Sequence, residues 1–155
     1  KYKFEKRIGS LPPASHILLS VGEIDCRLDE GILPHCKKNL EKKTQRVVKS
    51  TVGNYFNYLS EKSSPYLHKI IIQGIPCPNI NRAIFQNKEI AELIDLVQKF
   101  NRELKAKSIS HGFDFLDLNQ ITNDGRGFSN GLWHADAHHI TPSGIQEAWR
   151  HHVLK

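Results

Sequence analysis

Near its carboxyl end the chain carries an aspartate and a histidine that are spaced for acid–base chemistry. Asp136 precedes His139 by three residues in the run Asp-Ala-His-His-Ile-Thr-Pro-Ser-Gly. A carboxylate at this spacing can accept from the Nδ1–H of the imidazole, which fixes the tautomer and leaves Nε2 free as a base. This arrangement is the orienting and proton-accepting half of a nucleophilic triad. The pair therefore predicts a general base that acts on a nucleophile from another part of the fold.

The same stretch is dense in side chains that bind metal ions. His134, Asp136, His138 and His139 are all ligand types for zinc and related ions. No cysteine or glutamate at metal-site spacing accompanies them, so the sequence favours the acid–base interpretation, with no metal and no organic cofactor expected. A metal-dependent hydrolase stays an alternative, as does a surface loop in which these side chains have no role.

A second group of ionisable residues follows a short apolar run. Residues 16–21 predict a buried strand, and the segment after them reads Gly-Glu-Ile-Asp-Cys-Arg. Two carboxylates and a guanidinium this close together indicate either local ion pairing at a surface turn or the wall of a polar pocket. The candidate pocket residues are therefore Glu23, Asp25 and Arg27.

Strand and helix patterns alternate between and around these two groups. The predicted strands are 16–21, 67–73 and 113–118, and the predicted helices are about 37–62, 87–107 and 142–153. Thr141 and Pro142 suit the N-cap and first position of the last helix. A polar, glycine-rich loop is expected from 119 to 131. Such alternation predicts a three-layer α/β/α fold with a parallel sheet, as one domain over residues 1–155, with the site beyond the carboxyl ends of the strands.

Two blocks of the sequence resemble those of the SGNH/GDSL hydrolase superfamily. The run at 136–144 resembles the family's last block, in which Asp and His supply two triad members just before the C-terminal helix. The Gly-Glu-Ile-Asp run at 22–25 resembles the family's Gly-x-Asn-Asp block. The resemblance covers about residues 18–153 and implies a flavodoxin-like sheet. It also implies catalytic roles for Asp136 and His139, and an oxyanion-hole role for the backbone N–H of Gly22.

The chain departs from the family pattern in two places. Ile24 stands where the family has an asparagine, and the loss of one oxyanion donor costs on the order of a hundred- to a thousandfold in rate. The family's Gly-Asp-Ser nucleophile motif occurs nowhere, and Ser10 lies too close to the first strand for the β–α–β unit that should separate them. We therefore expect an unidentified nucleophile and a domain whose N-terminal strands are missing here, with that segment removed, disordered or supplied by another chain.

These features predict a serine-type ester hydrolase that acts on a carbohydrate O-acetyl group or another small acyl ester. The absent nucleophile motif and Ile24 favour a first alternative, a catalytically inactive binding module with the same fold. A second alternative is an acyltransferase on the same scaffold, which a drier pocket and an acceptor cleft would distinguish. Fold resemblance alone does not identify the substrate.

Composition limits the remaining classes of function. The net charge is +6, but the basic residues are expected to be scattered over solvated helix faces, without a dense cluster interleaved with aromatics, so no nucleic-acid partner is expected. No apolar run approaches the roughly 20 residues that span a bilayer, and no membrane association is expected. The three cysteines, Cys26, Cys36 and Cys77, form no CxxC pair, and three reduced thiols favour a cytoplasmic location, although a Cys26–Cys36 bridge stays possible.

Overall fold

A computed structural model describes residues 2–153, which fold as a parallel sheet flanked by helices. The strands are β1 (His16–Ser20), β2 (Lys69–Gln73) and β3 (Asp114–Leu116), paired in the order β1-β2-β3. The helices are α1 (Tyr2–Gly9), α2 (Ile32–Lys38), α3 (Thr44–Ser63), α4 (Asn87–Ser110), α5 (Leu118–Thr122) and α6 (Pro142–Val153), with a 3₁₀ turn at Ser64–Tyr66.

The alternating side chains of β2 divide the core between the two faces of the sheet. Ile70 and Ile72 pack with the buried stripes of α3 and α4, which include Phe56 and Phe100. Ile71 points to the opposite face, where it packs with Leu116, Leu118 and Ala148 of β3, α5 and α6. Two helical layers therefore enclose the sheet, as parallel sheets require. The predicted three-layer α/β fold with a parallel sheet is confirmed.

The long helix predicted from about 37 to 62 is wrong at its start, because the structure has two helices there. Asn39 ends α2: its backbone N–H donates to the carbonyls of His35 and Cys36, and its side-chain amide donates to the carbonyl of His35 at 2.8 Å. A side chain that bonds the backbone in this way competes with helix continuation. The turn that follows is closed by the Lys42 N–H, which donates to the Asn39 carbonyl at 2.9 Å.

The loop predicted from 119 to 131 is likewise wrong at its beginning, which lies in α5. The carboxylate of Asp117 accepts from the N–H of Gln120 at 3.2 Å and caps this short helix. The predicted N-cap of the last helix is confirmed, because Thr141 Oγ1 accepts from the N–H of Gly144 at 3.2 Å. Within the described part of the chain, no helix is both long and apolar enough to cross a membrane.

β1 lies at the edge of the described sheet. It pairs with β2 on one side, and its side chains alternate between exposed and half-buried. Leu18 is in register with Ile71 and so points to the α6 face, where it is 40% exposed. Helix α6 covers β2 and β3 on this face but leaves the β1 side chains open to solvent.

Candidate active site

The loop before α6 holds Asp136 and His139 in direct contact. Asp136 Oδ2 lies 2.7 Å from His139 Nδ1, and Asp136 Oδ1 accepts from the backbone N–H groups of His138 and His139 at 2.8 Å each. The His138 backbone N–H, followed by the His139 side chain, holds the pKa of the Asp136 carboxyl far below its usual range. The carboxylate is therefore ionised at neutral pH, and its contact with Nδ1 assigns proton acceptance to Nε2.

Backbone hydrogen bonds close this segment into a tight loop. The N–H of Ala135 donates to the carbonyl of His139 at 2.8 Å, and the N–H of Thr141 donates to the carbonyl of Trp133 at 2.8 Å. Both bonds flank the Asp136–His139 contact. The two catalytic candidates are thus fixed by interactions within nine residues of sequence, immediately before the capped start of α6.

Two side chains tie this loop to the loops that follow β1 and β2. The amide Nδ2 of Asn79 donates to the carbonyl of Asp136 at 3.0 Å. His138 Nδ1 lies 3.2 Å from Glu23 Oε1 in the loop after β1. Contacts from both neighbouring strand ends therefore set the position of the Asp136–His139 pair over the sheet.

The loop after β1 begins at Gly22, whose backbone requires glycine. Its φ is +87°, and a Cβ there would lie 2.3 Å from Cε1 of the fully buried Phe100. Only a residue without a side chain permits this conformation and this close approach. Gly22 lines the same cleft as His139, which brings the predicted oxyanion-hole residue and the predicted base to one site.

Three charged residues of this loop, Glu23, Arg27 and Glu30, are paired with one another. Arg27 Nε and Nη2 donate to Glu23 Oε1 and Oε2 at 2.7 and 2.6 Å, and Arg27 Nη1 donates to Glu30. Such bidentate pairing fixes the guanidinium in one orientation. Glu23 also lines the cleft, whereas Arg27 lies behind it and lines a small neighbouring recess. Glu23 therefore forms a local ion pair and also belongs to the wall of the polar cleft, the two interpretations that the sequence left open. The guanidinium of Arg27 is bound by carboxylates and does not line the cleft.

Asp25 has a partner that the sequence did not indicate. Tyr55 of α3 donates its hydroxyl to Asp25 Oδ2, and both residues line the cleft. Burial, and then this hydrogen bond, raises the pKa of Tyr55 above its ordinary value, so the phenol stays protonated. In the sequence, Tyr55 recurs with the apolar residues of its helix at three- and four-residue intervals, a spacing that is typical of core residues. Only the packing of α3 beside the loop reveals its polar role.

The cleft measures about 460 Å³ and opens at the carboxyl ends of β1 and β2. The strand ends contribute Ser20, Gly22 and Gln73, and the last loop contributes His138 and His139. This position is the one that the parallel-sheet rule predicts for a binding site. Ile24 also lines the cleft and is 57% exposed, so an apolar side chain stands at the position for which the sequence resemblance implies an amide donor.

Two serines differ in their position relative to this cleft. Ser20 ends β1, lines the cleft and accepts at Oγ from Gln73 Nε2 at 3.3 Å. Ser10 follows α1 and donates its hydroxyl to the carbonyl of Arg7 at 2.9 Å. Because Ser10 precedes β1, it lies toward the amino ends of the strands, at the opposite edge of the sheet. Ser20 was not among the residues predicted from the sequence, although its position at the carboxyl end of a parallel strand is where a site is expected.

Two of the three cysteines, Cys26 and Cys77, are unsuited to act as nucleophiles. Cys26, Cys36 and Cys77 are all free thiols. Burial, the largest cause, raises the pKa of Cys26 well above its ordinary value and the pKa of Cys77 to about 11. A thiol with a raised pKa carries little thiolate at neutral pH.

The histidines of the last loop diverge toward separate partners. His134 Nδ1 lies 2.9 Å from Ser129 Oγ, while His138 contacts Glu23 and His139 contacts Asp136. Across residues 2–153, no three histidine, cysteine, aspartate or glutamate side chains group together in a way that could hold a metal ion. The three histidines of this segment thus contact three different residues and do not converge on one point.

Comparison with solved structures identifies the architecture. A GDSL-like lipase from Bacteroides thetaiotaomicron matches with a TM-score of 0.62 and 18% identity, over 99% of this chain and 68% of that one. The chain has the fold of a GDSL-like lipase. Phospholipase A1 from Streptomyces albidoflavus matches with a TM-score of 0.56 and 14% identity, over 97% and 73% of the two chains. The OSK domain of Drosophila Oskar matches with a TM-score of 0.54 and 13% identity, over 94% and 64%.

These identities are low enough that the matches concern the GDSL-like fold alone. No protein-family profile matches the chain, and no curated protein matches it in sequence. The roles assigned to Asp136, His139 and Gly22 therefore stay predictions that rest on the residues themselves and on their geometry.

Proposed function

We propose that this protein is a serine-type ester hydrolase in which His139 is the general base, Asp136 orients it and the Gly22 backbone N–H contributes to the oxyanion hole. The observation that carries the proposal is the 2.7 Å contact between Asp136 Oδ2 and His139 Nδ1, with His139 lining the cleft. The GDSL-like lipase fold supports an ester as the substrate.

In the proposed mechanism, a serine hydroxyl attacks the ester carbonyl while His139 Nε2 takes its proton. The ionised Asp136 stabilises the imidazolium that forms. The oxyanion of the tetrahedral intermediate accepts from the N–H of Gly22. His139 then returns the proton to the leaving alkoxide, and an acyl-enzyme remains. Water then attacks the acyl-enzyme while His139 Nε2 takes a proton from it. His139 returns this proton to the serine oxygen, and the acid is released.

The nucleophile in this proposal belongs to a further strand that pairs with the free edge of β1. Two observations support it: β1 has a single neighbour in the described sheet, and Leu18 is 40% exposed on a face that α6 leaves uncovered. A further strand, with its own connecting helix, would cover that face and end beside His139. Ser20 is the alternative within the described chain, since it lines the cleft at the end of β1.

The cleft favours a small acyl group on a hydroxyl-rich alcohol. Its polar groups include the Asp25 carboxylate, the Tyr55 hydroxyl and the Gln73 amide, all suited to binding sugar hydroxyls. Ile75 and Ile145 supply a limited apolar surface for a short acyl chain. We therefore propose carbohydrate O-acetyl esters, or similar small esters, as the substrate class.

A second candidate function is a binding module that uses this cleft without catalysis. The observation in its favour is Ile24, which places an apolar side chain where an oxyanion donor is expected, while the nearby Arg27 is held by Glu23 and Glu30. A module of this kind would bind the ester and release it unchanged.

Labelling with a fluorophosphonate distinguishes these possibilities. The full-length natural protein is treated with the probe, its intact mass is measured, and peptide mapping locates the modified residue. The proposal predicts one adduct on a serine, which is absent in His139→Ala. Retention of the adduct in Ser20→Ala places the nucleophile on the further strand, and its loss places the nucleophile at Ser20. No adduct on the wild-type protein contradicts the hydrolase and leaves the binding module.

A further inference from the structure

The excess positive charge of the chain lies almost entirely in one short segment. Residues 37–49, here called the basic segment, hold six lysines and arginines and one glutamate. The segment thus carries a net charge of +5 out of the +6 of the whole chain, and the other 142 residues together carry +1. The other 16 lysines and arginines are distributed over the rest of the chain and are nearly balanced by 15 aspartates and glutamates.

Most of these cations have no carboxylate partner. Lys37 lies 3.7 Å from Glu89 of α4, and Lys42 Nζ contacts the imidazole of His35 at 3.3 Å. Elsewhere in the segment, exposed cations have no carboxylate of the described chain within ion-pair distance: Lys38, Lys43, Arg46 and Lys49. Their charge is therefore available to an external anionic surface.

A leucine stands at the tip of this segment. Leu40 is a central residue of the turn closed by the Lys42 N–H and the Asn39 carbonyl, and its side chain is 89% exposed. Lysines flank the turn on both sides. An apolar side chain held outward in this way by a hydrogen-bonded turn has no role in the core and is costly to leave in water.

The basic segment and the cleft both lie toward the carboxyl ends of the strands. The parallel strands β1 and β2 are joined through α2 and α3, so α3 runs back antiparallel to the strands. Its start, at Thr44, therefore lies toward the carboxyl ends of the strands, and its fourth turn carries the cleft residue Tyr55. A surface that binds the basic segment would face the end of the molecule that holds the cleft.

We propose that the basic segment binds the surface of an anionic lipid bilayer, with its lysines at the headgroups and Leu40 inserted at the boundary with the acyl chains. Each cation held near an anionic bilayer strengthens binding by about fivefold, and an inserted leucine adds to this. A nucleic acid fits less well, because residues 37–49 contain no aromatic side chain to stack on a base and a phosphate gains nothing from Leu40. This binding does not depend on the proposed hydrolase activity.

Vesicle sedimentation tests the proposal without any measurement of catalysis. The full-length protein is mixed with vesicles of phosphatidylcholine alone or with about 30% phosphatidylserine, at about 0.1 M salt. We expect binding to the anionic vesicles alone. The Lys38, Lys42 and Lys43→Gln triple variant should lower the partition coefficient by about a hundredfold, and Leu40→Ser by about fivefold or more.

Two control variants match these changes elsewhere on the molecule. Replacing Lys3, Lys6 and Arg7 of α1 with Gln removes the same charge at the opposite edge of the sheet, and Leu67→Ser removes another leucine that is 85% exposed. Both should bind within about twofold of wild type, since their sites lie away from the bilayer. Absence of binding to anionic vesicles, or equal losses in the control variants, overturns the proposal. An unchanged Leu40→Ser together with tight binding to single-stranded RNA points to a nucleic-acid surface instead and also overturns it.

Discussion

The two loops that line the cleft are held by contacts of different range. In the last loop, Asp136 bonds His139 and two backbone N–H groups within three residues of itself. In the loop after β1, Gly22 depends on Phe100, and Asp25 depends on Tyr55, both on distant helices. The last loop thus forms the Asp136–His139 contact from its own residues and is placed over the sheet by Asn79 and Glu23, whereas the loop after β1 takes its shape from the packing of the domain. Changes in the first should affect rate with little effect on stability, and changes in the second should affect stability as well.

Among substitutions that leave His139 in place, the largest effect is expected from Asp136→Asn. The amide oxygen still accepts from the backbone N–H groups of His138 and His139, so the loop keeps its shape, but the imidazolium loses its counter-charge. We expect a loss in kcat of about a thousand- to ten-thousandfold on a small acyl ester, with KM nearly unchanged. Asp29→Asn, an exposed aspartate in the loop after β1, is the matched control and should behave as wild type. A loss in kcat of less than about tenfold in Asp136→Asn would contradict the orienting role of Asp136.

Gly22→Ala should act on stability instead. The new Cβ would lie 2.3 Å from Cε1 of Phe100, which is fully buried, and the φ of +87° is unfavourable for alanine. We expect a loss of about 2–4 kcal/mol in the free energy of unfolding, measured by urea denaturation. Gly53→Ala in α3, where a Cβ meets no atom within 4 Å, should instead stabilise the protein by up to about 1 kcal/mol. Equal effects of the two variants would contradict the account of the close approach.

The sequence separation of the contacting residues also explains which features of the fold and the site could be predicted from the sequence. The strand–helix alternation, the N-cap at Thr141 and the Asp136–His139 contact all depend on residues a few positions apart, and each agrees with the structure. The contacts of Asp25 with Tyr55 and of Glu23 with His138 join residues that only the packed domain brings together. The break between α2 and α3 was missed for a different reason. The break is caused by a single side chain, that of Asn39, which donates to a carbonyl at the end of α2. The spacing of apolar residues gives no indication of such a bond.

An asparagine at position 24 tests whether the loop after β1 can contribute a second oxyanion donor. Ile24 lines the cleft where an oxyanion donor is expected and is 57% exposed, so an asparagine can be accommodated without repacking the core. We expect Ile24→Asn to raise kcat by about ten- to a hundredfold, which is part of the hundred- to thousandfold that one such donor is worth. Ile24→Leu, which adds no donor, should leave kcat unchanged. A decrease in Ile24→Asn would mean that the oxyanion lies elsewhere in the cleft.

The smallest effect concerns the titration of Asp136. Because its folded-state pKa is lowered, its contribution to stability is present above the ordinary aspartate value of about 3.9 and is lost as pH falls through the folded-state pKa. The largest cause is the backbone N–H of His138, so we expect the pKa in His139→Ala to rise only in part and to stay below the ordinary value. NMR titration of the side-chain carboxyl carbon measures both values. An ordinary pKa in wild type would contradict the hydrogen bonds to this carboxylate.

The most direct test of the central claim compares two neighbouring histidines of the last loop. The rate of ester hydrolysis by the full-length protein is measured for His139→Ala and for His138→Ala. His139 is the proposed base, whereas His138 joins the loop to Glu23. We expect a loss on the order of ten-thousandfold or more for His139→Ala and of less than about tenfold for His138→Ala. Turnover near the wild-type rate in His139→Ala, or equal losses in the two variants, would contradict the assignment of His139 as the general base.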